Sequence, residues 1–217
     1  MIFGKSIAFD HEGLGEVASA AYDKHVFEAA ESEFLERLRN GEPEAFDNLV
    51  TRYSGDIYAV LYRITESAED AADLTQETFL SALRSIRSFR GESELKTWLT
   101  RIAINHSRNR FRWWKRRKKD ATISLDSPLG DSELPFGDSI AGENESAEDA
   151  VLRRERETAL RKALSQLPEH YREVIVLCDI EGFTYDEISA ALEINIGTVK
   201  SRIARGREEL RKRLSDL

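Results

Sequence analysis

The segment from 120 to 149 limits the possible folds of this chain most strongly, because nothing in it fits a helix or a strand. It reads DATISLDSPLGDSELPFGDSIAGENESAED, which combines Gly, Pro and Ser with acidic residues and has no helical period. From Asp120 to Val151 the chain contains no Lys or Arg. This composition is typical of a flexible linker. We therefore expect two folded regions, separated by a linker at 119–150.

Both regions beside this linker have the spacing of amphipathic helices. Between Leu49 and Ile64 apolar side chains recur every three or four residues, which places one stripe toward a core. The second region, 151–217, has the same helical character and no strand-like alternation. We predict an all-α protein with two small helical domains, at 33–118 and 151–217, joined by the acidic linker. Residues 1–32 are expected to form a partly disordered extension.

A helix is predicted from about Ser67 to Ser88. The side chains expected on its buried face are Ala72, Phe79, Leu83 and Ile86. The opposite face would then expose Leu74 among the carboxylates of Asp70, Asp73 and Glu77. An apolar spot ringed by charge is typical of a protein interface. Complementation of the helix dipole would explain Asp70 but not an exposed Leu74.

Positive charge is concentrated in one helix, which is predicted to begin near Thr97. The chain has 40 acidic and 32 basic residues and a formal charge of −8, yet Arg101 to Lys119 contains no Asp or Glu. At helical spacing a single stripe forms from Arg101, Asn105, Arg108 and Arg112. Arginine binds phosphate, and Asn can read a base edge with its paired donor and acceptor.

Aromatic side chains extend this basic helix. Phe111, Trp113 and Trp114 alternate with cations, and stacking on aromatic rings contributes about 1–3 kcal/mol per base in single-stranded nucleic acid. The pattern therefore favours a surface for an unpaired strand. A solvated basic face, with the two tryptophans packed as core and lid, is the alternative that this run alone leaves open.

The C-terminal region carries the pattern of a helix-turn-helix. Thr184 and Glu187 form a T-x-x-E capping box before a first helix, and a second helix is predicted from about Gly197. The inward stripe of the second helix is Val199, Ile203, Gly206 and Leu210. The outward residues are Gly197, Thr198, Ser201 and Arg205, with Lys200 and Arg202 at the flanks. Small residues followed by arginines suit a major-groove recognition helix, although an ordinary helical hairpin with a charged face has a similar pattern.

Several classes of function lack their usual signals. The single cysteine, Cys178, and four scattered histidines offer no metal-ligand spacing, so we expect neither metal nor cofactor. No nucleophile, base and orienting group are assembled, so we expect no catalytic residues and no enzyme activity. No apolar run is long enough to cross a bilayer, and the N-terminus lacks the features of a secretory leader. We therefore expect a cytoplasmic protein without membrane insertion.

Five segments together resemble the RNA polymerase sigma factors of the sigma-70 family, in particular the small extracytoplasmic function (ECF, group IV) type with domains 2 and 4 alone. In order they are EAFDNLVTRY, AEDAADLTQETFLSAL, SFRGESELKTWLTRIAINHSRNRFR, LSQLPEHYREVIVLCDIEGFTYDEIS and GTVKSRIARGREELRKRL. They cover nearly all of 34–214 apart from the linker. Each motif alone is weak, but the five in this order are highly specific.

The resemblance implies a promoter-specificity subunit that binds core RNA polymerase, reads the −35 and −10 elements and nucleates DNA melting. It implies contact with the β′ clamp through domain 2 and with the β flap through domain 4. The residues that match the β′-binding segment are Asp70, Asp73, Leu74, Gln76 and Glu77. Those implied at the −10 element are Phe89, Arg90, Gly91, Arg101, Asn105, Arg108 and Arg112, beside Trp113 and Trp114. Lys200, Ser201 and Arg205 match positions at the −35 element.

The same resemblance implies a role in stress-responsive transcription, under an anti-sigma factor that blocks the polymerase-facing surfaces. One departure from the family pattern is Glu193, which stands where the turn of the helix-turn-helix commonly has Gly. If that position is left-handed, a non-glycine residue costs about 1 kcal/mol or more. Another is Ala204, where relatives carry a larger side chain, a difference that bears on −35 base preference.

Two other functions fit part of the sequence. A helix-turn-helix regulator that acts without polymerase would explain the second region but leave the Arg101–Trp114 surface and the Asp70–Glu77 face unexplained. A DNA-processing enzyme such as a recombinase would need an activated Ser or Tyr on a mixed α/β domain, and the first region shows no strand pattern. The sigma-factor hypothesis accounts for both regions.

Overall fold

The computed structural model describes residues 30–120 and 147–215. The helices are α1 (30–40), α2 (Pro43–Thr65), α3 (Ala68–Ser85), α4 (Leu95–Asp120), α5 (Ala147–Ser165), α6 (Glu169–Ile175), α7 (Tyr185–Leu192) and α8 (Ile196–Ser215), with a 3₁₀ turn at Ile86–Ser88 and a π-helical turn at Val176–Ile180. Every regular element in the two described ranges is helical, which confirms the all-α prediction. The predicted extension (1–32) and acidic linker (119–150) lie mostly outside them, and the parts that are described, 30–32, 119–120 and 147–150, are helical, so the folded regions extend further than predicted.

The described part of the chain divides into two compact units, with the boundary between Asn48 and Leu49. In the first unit, α1 ends at a glycine-capped turn. Gly41 has φ +78°, and its N–H donates to the carbonyl of Leu38 while that of Glu42 donates to Arg37. These two bonds satisfy carbonyls that the helix end leaves open. Pro43 then begins α2, at a position that needs no intrahelical N–H.

The N-terminal lobe, 49–120, consists of the remainder of α2 with α3 and α4. Ser67 caps α3, since its side chain accepts a hydrogen bond from the N–H of Asp70 at 3.1 Å. Helix α3 packs along α4. The rings of Phe89, in the loop before α4, and Trp98, in its first turn, are both buried and lie 4.9 Å apart. The loop before α4 is therefore anchored by an aromatic pair.

The buried face of α3 differs from the prediction. The buried residues are Ala71, Leu74, Thr78, Phe79 and Ala82. Ala72 and Leu83 are exposed, so their assignment to the core was wrong, whereas those of Phe79 and Ile86 are confirmed. Leu74 is 0% exposed, so the prediction that it is an exposed apolar spot was also wrong. The spacing 71, 74, 78, 82 is a regular helical stripe with small members, which a search for large apolar residues passes over.

The C-terminal lobe, 147–215, contains α5 to α8. The predicted capping box is confirmed, because the Thr184 N–H donates to Glu187 Oε2 at 2.7 Å and the Glu187 N–H donates to Thr184 Oγ1 at 3.3 Å. On α8, Val199, Ile203 and Gly206 are buried, as the inward stripe predicted. A Cβ at Gly206 would lie 2.9 Å from Ile175 Cγ1. Glycine therefore lets α6 and α8 approach closely.

The two lobes share one hydrophobic core. Val60 and Ile64 of α2 and Ile104 of α4 belong to the same buried cluster as the C-terminal lobe. Their partners there are Leu164, Leu167, Val174, Ile175, Leu177, Phe183, Ile188, Ala191, Leu192, Val199 and Ile203. Helix α4 also packs directly on α7. Separation of the lobes would expose these apolar side chains to water, so the packed arrangement is stabilised by the hydrophobic effect.

Glu193 ends α7 in the left-handed conformation, with φ 55° and ψ 44°, as its place in the turn suggested. A non-glycine residue in this conformation costs about 1–2 kcal/mol. Glycine removes that cost but lowers stability by about 0.4–1 kcal/mol, because it raises the entropy of the unfolded chain. Glu193→Gly should therefore raise the free energy of unfolding by about 0.5–1 kcal/mol. Urea denaturation measures this difference. The exposed pair of Glu193 with Arg101, at 3.8 Å, contributes little to it.

The matched control is Ala190→Gly, at an exposed position within α7 where the backbone is helical. There glycine should lower the free energy of unfolding by about 1 kcal/mol. If both glycine variants lose stability equally, the left-handed residue at 193 is not a source of strain.

Candidate nucleic-acid and partner-binding surfaces

Helix α8 presents the predicted recognition surface. Asn195 precedes the helix, and its side-chain carbonyl accepts hydrogen bonds from the Thr198 N–H at 2.8 Å and from the Thr198 hydroxyl at 2.9 Å. This cap holds the first turn of α8 in place. Gly197, Lys200, Ser201 and Arg205 are exposed, and Thr198 and Arg202 are half-buried. All six predicted outward residues thus lie at or beside one accessible helix face.

The far end of α4 carries the predicted basic aromatic surface. Trp113 and Trp114 are 43% and 50% exposed, and their rings meet edge to face with centroids 5.9 Å apart. The guanidinium of Arg117 lies 4.2 Å from the Trp113 ring centroid. Phe111 is exposed as well. The alternative in which the tryptophans pack as core and lid is therefore not what the structure shows.

The middle of the arginine stripe on α4 faces the C-terminal lobe instead of open solvent. Arg108 donates from Nε to Glu173 Oε1 at 2.7 Å and from Nη2 to Glu173 Oε2 at 2.6 Å. Arg101 lies 3.8 Å from Glu193. Asn105 is half-buried between them on the same helix face. The predicted −10 residues therefore divide into a covered part, around Arg108, and an exposed end, around Trp113.

Glu173 is 1% exposed, so its carboxylate is removed from water and relies on Arg108 for compensation. The hydrogen bonds from this guanidinium to Glu173 raise the pKa of Arg108 above its ordinary value. Two parallel charge-assisted bonds in a partly buried site are among the stronger polar contacts in proteins. Arg108 and Glu173 therefore act as one unit between α4 and α6.

Two more ion pairs join the lobes. Arg63 Nη1 lies 2.5 Å from Glu181 Oε1, and both side chains are largely buried. Arg172 donates to the Glu66 carboxylate and to the carbonyl of Ile64. Burial raises the pKa of Glu66 and of Glu181 despite their arginine partners. The desolvation of these carboxylates therefore outweighs the attraction of the arginines. Packing of the two lobes against each other, which we call closure, thus has an electrostatic cost.

The loop before α4 places its three predicted residues differently. Phe89 is buried against Trp98, so its ring supports the loop and offers no free face in this arrangement. Arg90 and Gly91 are exposed at the tip, and Gly91 has φ +75°. Arg90 lies 3.8 Å from the exposed Glu92. Arg90 and Gly91 thus remain accessible to a ligand.

The exposed face of α3 contains the acidic residues that the sequence indicated and two leucines that it did not. Asp73, Gln76 and Glu77 are exposed, while Asp70 is half-buried. Leu80 and Leu83 are 51% and 45% exposed. Because residues three or four apart share a helix face, Leu80 lies beside Gln76 and Glu77. The apolar spot among carboxylates exists, but Leu80 occupies the place predicted for Leu74.

Two contacts from α4 order these carboxylates. Arg110 lies 3.6 Å from Asp70 and 3.2 Å from Asp73. The His106 ring lies 2.8 Å from Ser81 Oγ and 3.5 Å from Glu77 Oε2. Neither residue belongs to the predicted arginine stripe, and the sequence alone did not indicate their contact with α3. Helix α4 therefore holds the acidic side chains of α3 in position through these contacts.

Neither a metal centre nor a membrane span is found in the part of the chain that the structure describes. Within 30–120 and 147–215, no three His, Cys, Asp or Glu side chains are grouped as metal ligands. No helix in those ranges is both long and apolar enough to cross a membrane.

Comparison with known proteins places both lobes in one family. The family model for sigma-70 region 2 matches residues 49–118, and that for sigma-70, region 4 matches residues 157–210. RNA polymerase sigma-H factor of Pseudomonas aeruginosa is 37% identical over 187 residues, which cover 86% of this chain and 95% of that protein. ECF RNA polymerase sigma factor SigW of Bacillus subtilis is 37% identical over 184 residues, or 84% and 96% of the two chains.

Two solved structures also align with this chain over most of its length. The sigma factor RpoE of Bartonella quintana, in complex with the anti-sigma factor NepR, aligns with a TM-score of 0.61 at 26% identity and covers 78% of this chain and 96% of that one. CnrH, in complex with the cytosolic domain of CnrY, aligns with a TM-score of 0.58 at 25% identity and covers 84% and 96%.

Proposed function

The chain belongs to the sigma-70 family of RNA polymerase sigma factors, with relatives of the ECF type, and from this premise we propose how its surfaces share the work of promoter recognition. The protein acts as the promoter-specificity subunit that joins core RNA polymerase, reads the −35 and −10 elements and nucleates DNA melting. The observation that carries this is the exposed face of α8, a capped helix with small residues first and Arg205 further on. This face lies within the region 4 match.

The −35 element is read by α8 in the major groove. Gly197 and Thr198 begin the helix and permit close approach, while Lys200, Ser201 and Arg205 are presented by the following turns. The N–H groups of the first turn favour phosphate. Base-edge contacts from Ser201 and Arg205 supply specificity, and Lys200 supplies phosphate contact.

The −10 element is held by α4 and the loop before it. Trp113 and Trp114 offer exposed ring faces on which unpaired bases stack. Arg90 and Gly91 extend from the loop tip toward the strand, with Phe89 and Trp98 as their support. Arg101, Asn105, Arg108 and Arg112 continue the surface along α4 once the C-terminal lobe has moved away from it. A base held outside its stack cannot re-pair, so melting begins here.

Core polymerase is bound by the exposed face of α3. Its apolar contacts come from Leu80 and Leu83, and Asp73, Gln76 and Glu77 supply polar contacts that set orientation. We assign this face to the β′ clamp, and the C-terminal lobe to the β flap. Leu74 supports the surface from inside the core and does not itself contact polymerase.

Regulation and location follow the same family. The sigma factor RpoE is solved with the anti-sigma factor NepR, and CnrH is solved with the cytosolic domain of CnrY. We assign this chain the same kind of control, in response to stress, by a protein that blocks its polymerase-binding surfaces. The chain needs no cofactor and carries out no catalysis of its own, because the polymerase supplies the chemistry. It works in the cytoplasm, where core polymerase and promoter DNA are found.

Replacement of Arg205 tests the −35 assignment. Arg205→Ala should weaken binding of the reconstituted holoenzyme to a −35-dependent promoter by about 1–3 kcal/mol for each base-specific interaction that the arginine makes. Nuclease footprints across the −35 element, titrated at fixed salt, measure this. Arg211→Ala removes the same charge from an exposed position further along α8 and should leave the footprint nearly unchanged. Equal effects of the two variants would mean that α8 contributes charge but not readout.

A further inference from the structure

The contact between Arg108 and Glu173 joins a residue assigned to DNA with a carboxylate of the same chain. The guanidinium fork of Arg108 meets both oxygens of Glu173, at 2.7 and 2.6 Å. A planar fork with two parallel N–H donors is also the arrangement by which arginine binds a phosphate. Glu173 occupies the Nε–Nη2 edge of this guanidinium and neutralises its charge, so a phosphate cannot bind that edge of Arg108 at the same time.

The position of Glu173 is built for this contact. The residue lies on α6, next to Val174 and Ile175 of the shared core, and it is 1% exposed. No other charged residue of α6 is as deeply buried, since Glu169 and Arg172 are only half-buried. A carboxylate so far from water is tolerated when a cation meets it. Glu173 thus holds Arg108 against the C-terminal lobe.

Closure covers one binding surface and leaves the others open. Along α4, Arg108 faces α6 and Arg101 faces Glu193 at the end of α7. The α3 face with Leu80 and Leu83 stays exposed, and so does the recognition face of α8. The closed arrangement is therefore compatible with polymerase contact through α3, whereas the middle of the −10 surface is not accessible to a strand.

We propose that Glu173 occupies the phosphate-binding position of Arg108 in the free protein, so that closure of the two lobes and binding of single-stranded DNA to α4 exclude each other. This inference rests on the proposed function of α4. Polymerase contact at the open α3 face would precede separation of the lobes, and the strand would then replace Glu173 on Arg108. The carboxylate acts as an internal competitor that restrains the free protein from binding unpaired strands.

The ion pairs at the interface suit such a reversible contact. Burial raises the pKa of Glu66 and Glu181, which shows that part of their desolvation is not offset by Arg172 and Arg63. Opening the lobes restores water to these groups. It also exposes Val60, Ile64 and Ile104, which opposes opening. Separation of the lobes is therefore favoured by rehydration of the carboxylates and opposed by exposure of the apolar core.

The test measures binding of the full chain, without polymerase, to a fluorescein-labelled single-stranded DNA of mixed sequence. Fluorescence anisotropy across a salt series gives both affinity and salt slope. Glu173→Gln should bind at least about tenfold more tightly than the wild type, and each additional phosphate neutralised should steepen the log–log salt slope by about 0.7. Arg108→Ala in the Glu173→Gln background should remove this gain, because the freed guanidinium is its source.

The matched control is Glu155→Gln, which removes one negative charge from an exposed position on α5. It should leave affinity and slope close to wild type. If Glu173→Gln behaves like Glu155→Gln while its circular dichroism spectrum is unchanged, the proposal is overturned. A gain that persists in the Arg108→Ala double variant also overturns it, since general charge repulsion would then be the cause.

A second measurement decides the matter if Glu173→Gln fails to fold. Small-angle X-ray scattering of the wild type should show an increased radius of gyration when saturating single-stranded DNA is added, beyond the contribution of the DNA itself. An unchanged protein radius at saturation overturns the proposal. Holoenzyme transcription separates this from the proposed function. If the wild-type holoenzyme initiates correctly but Glu173→Gln does not change the affinity for single-stranded DNA, the proposal for Glu173 is refuted while the proposed function stands.

Discussion

Leu80→Asp is expected to reduce binding to core RNA polymerase by at least about thirtyfold while leaving the helical spectrum intact. The side chain is 51% exposed on α3, so a carboxylate there stays hydrated in the free protein. In the complex it would be buried beside the carboxylates of Asp73 and Glu77. Loss of a central apolar anchor costs about 2 kcal/mol or more, which corresponds to the stated change in affinity. Titration with labelled core enzyme measures it.

Two comparison variants make this result specific. Val151→Asp changes another exposed apolar residue, near the start of α5 and outside the region 4 match at 157–210, and should leave polymerase binding near wild type. Leu74→Asp places a carboxylate at a fully buried position one face away on the same helix. Burial of an unpaired charge costs several kcal/mol, a large part of a typical stability of about 5–15 kcal/mol. Leu74→Asp should therefore lose helicity, whereas Leu80→Asp should not.

The opposite pattern would contradict the assignment of the α3 surface. A Leu80→Asp protein that binds polymerase normally would show that this face is not the polymerase contact. A folded Leu74→Asp protein with impaired polymerase binding would restore the original expectation from sequence, in which Leu74 itself is the exposed anchor.

Arg108→Ala is expected to lower the free energy of unfolding by about 3–5 kcal/mol, the range found when one partner of a buried ion pair is removed. Glu173, which is 1% exposed, would be left without its guanidinium. Urea denaturation followed by circular dichroism measures the loss. If the lobes separate and rehydrate Glu173, the loss is smaller and the radius of gyration increases.

The control for this prediction is Arg112→Ala, one turn further along α4. Arg112 is exposed and donates to Asn109 of its own helix at 2.7 Å. Surface substitutions of this kind change stability by about 0.5 kcal/mol or less. Combining Arg108→Ala with Glu173→Gln should recover much of the loss, because the uncompensated charge is gone. Equal stability of Arg108→Ala and the wild type, with no change in radius, would mean that the pair does not hold the lobes together.

The sequence predicted local structure well where a short motif determines it: a helix cap, a buried helical stripe and a turn residue. Thr184 and Glu187 form their capping box because each side chain accepts a hydrogen bond from the backbone N–H of the other residue. Val199, Ile203 and Gly206 face the core, as a clean helical stripe requires. Glu193 adopts the left-handed conformation because the turn demands it and the neighbouring packing is strong enough to impose it.

The prediction failed where long-range packing decides. On α3, Ala71 and Thr78 lie on the buried stripe while Leu80 is exposed, so size and hydrophobicity alone gave the wrong face around Leu74. The pairing of Arg108 with Glu173 joins residues 65 positions apart. No periodicity in a single sequence reports such a contact. An arginine stripe with a DNA-binding pattern and an arginine stripe held by a neighbouring domain look the same in sequence.

The most direct measurement of the central claim is transcription by core RNA polymerase reconstituted with this chain, with transcript 5′ ends mapped across the genome. A promoter-specificity subunit predicts that the chain joins the core enzyme and confers defined start points that share sequence elements near −35 and −10. Core enzyme that fails to bind the chain, or that initiates at the same unselected positions with and without it, would contradict the account.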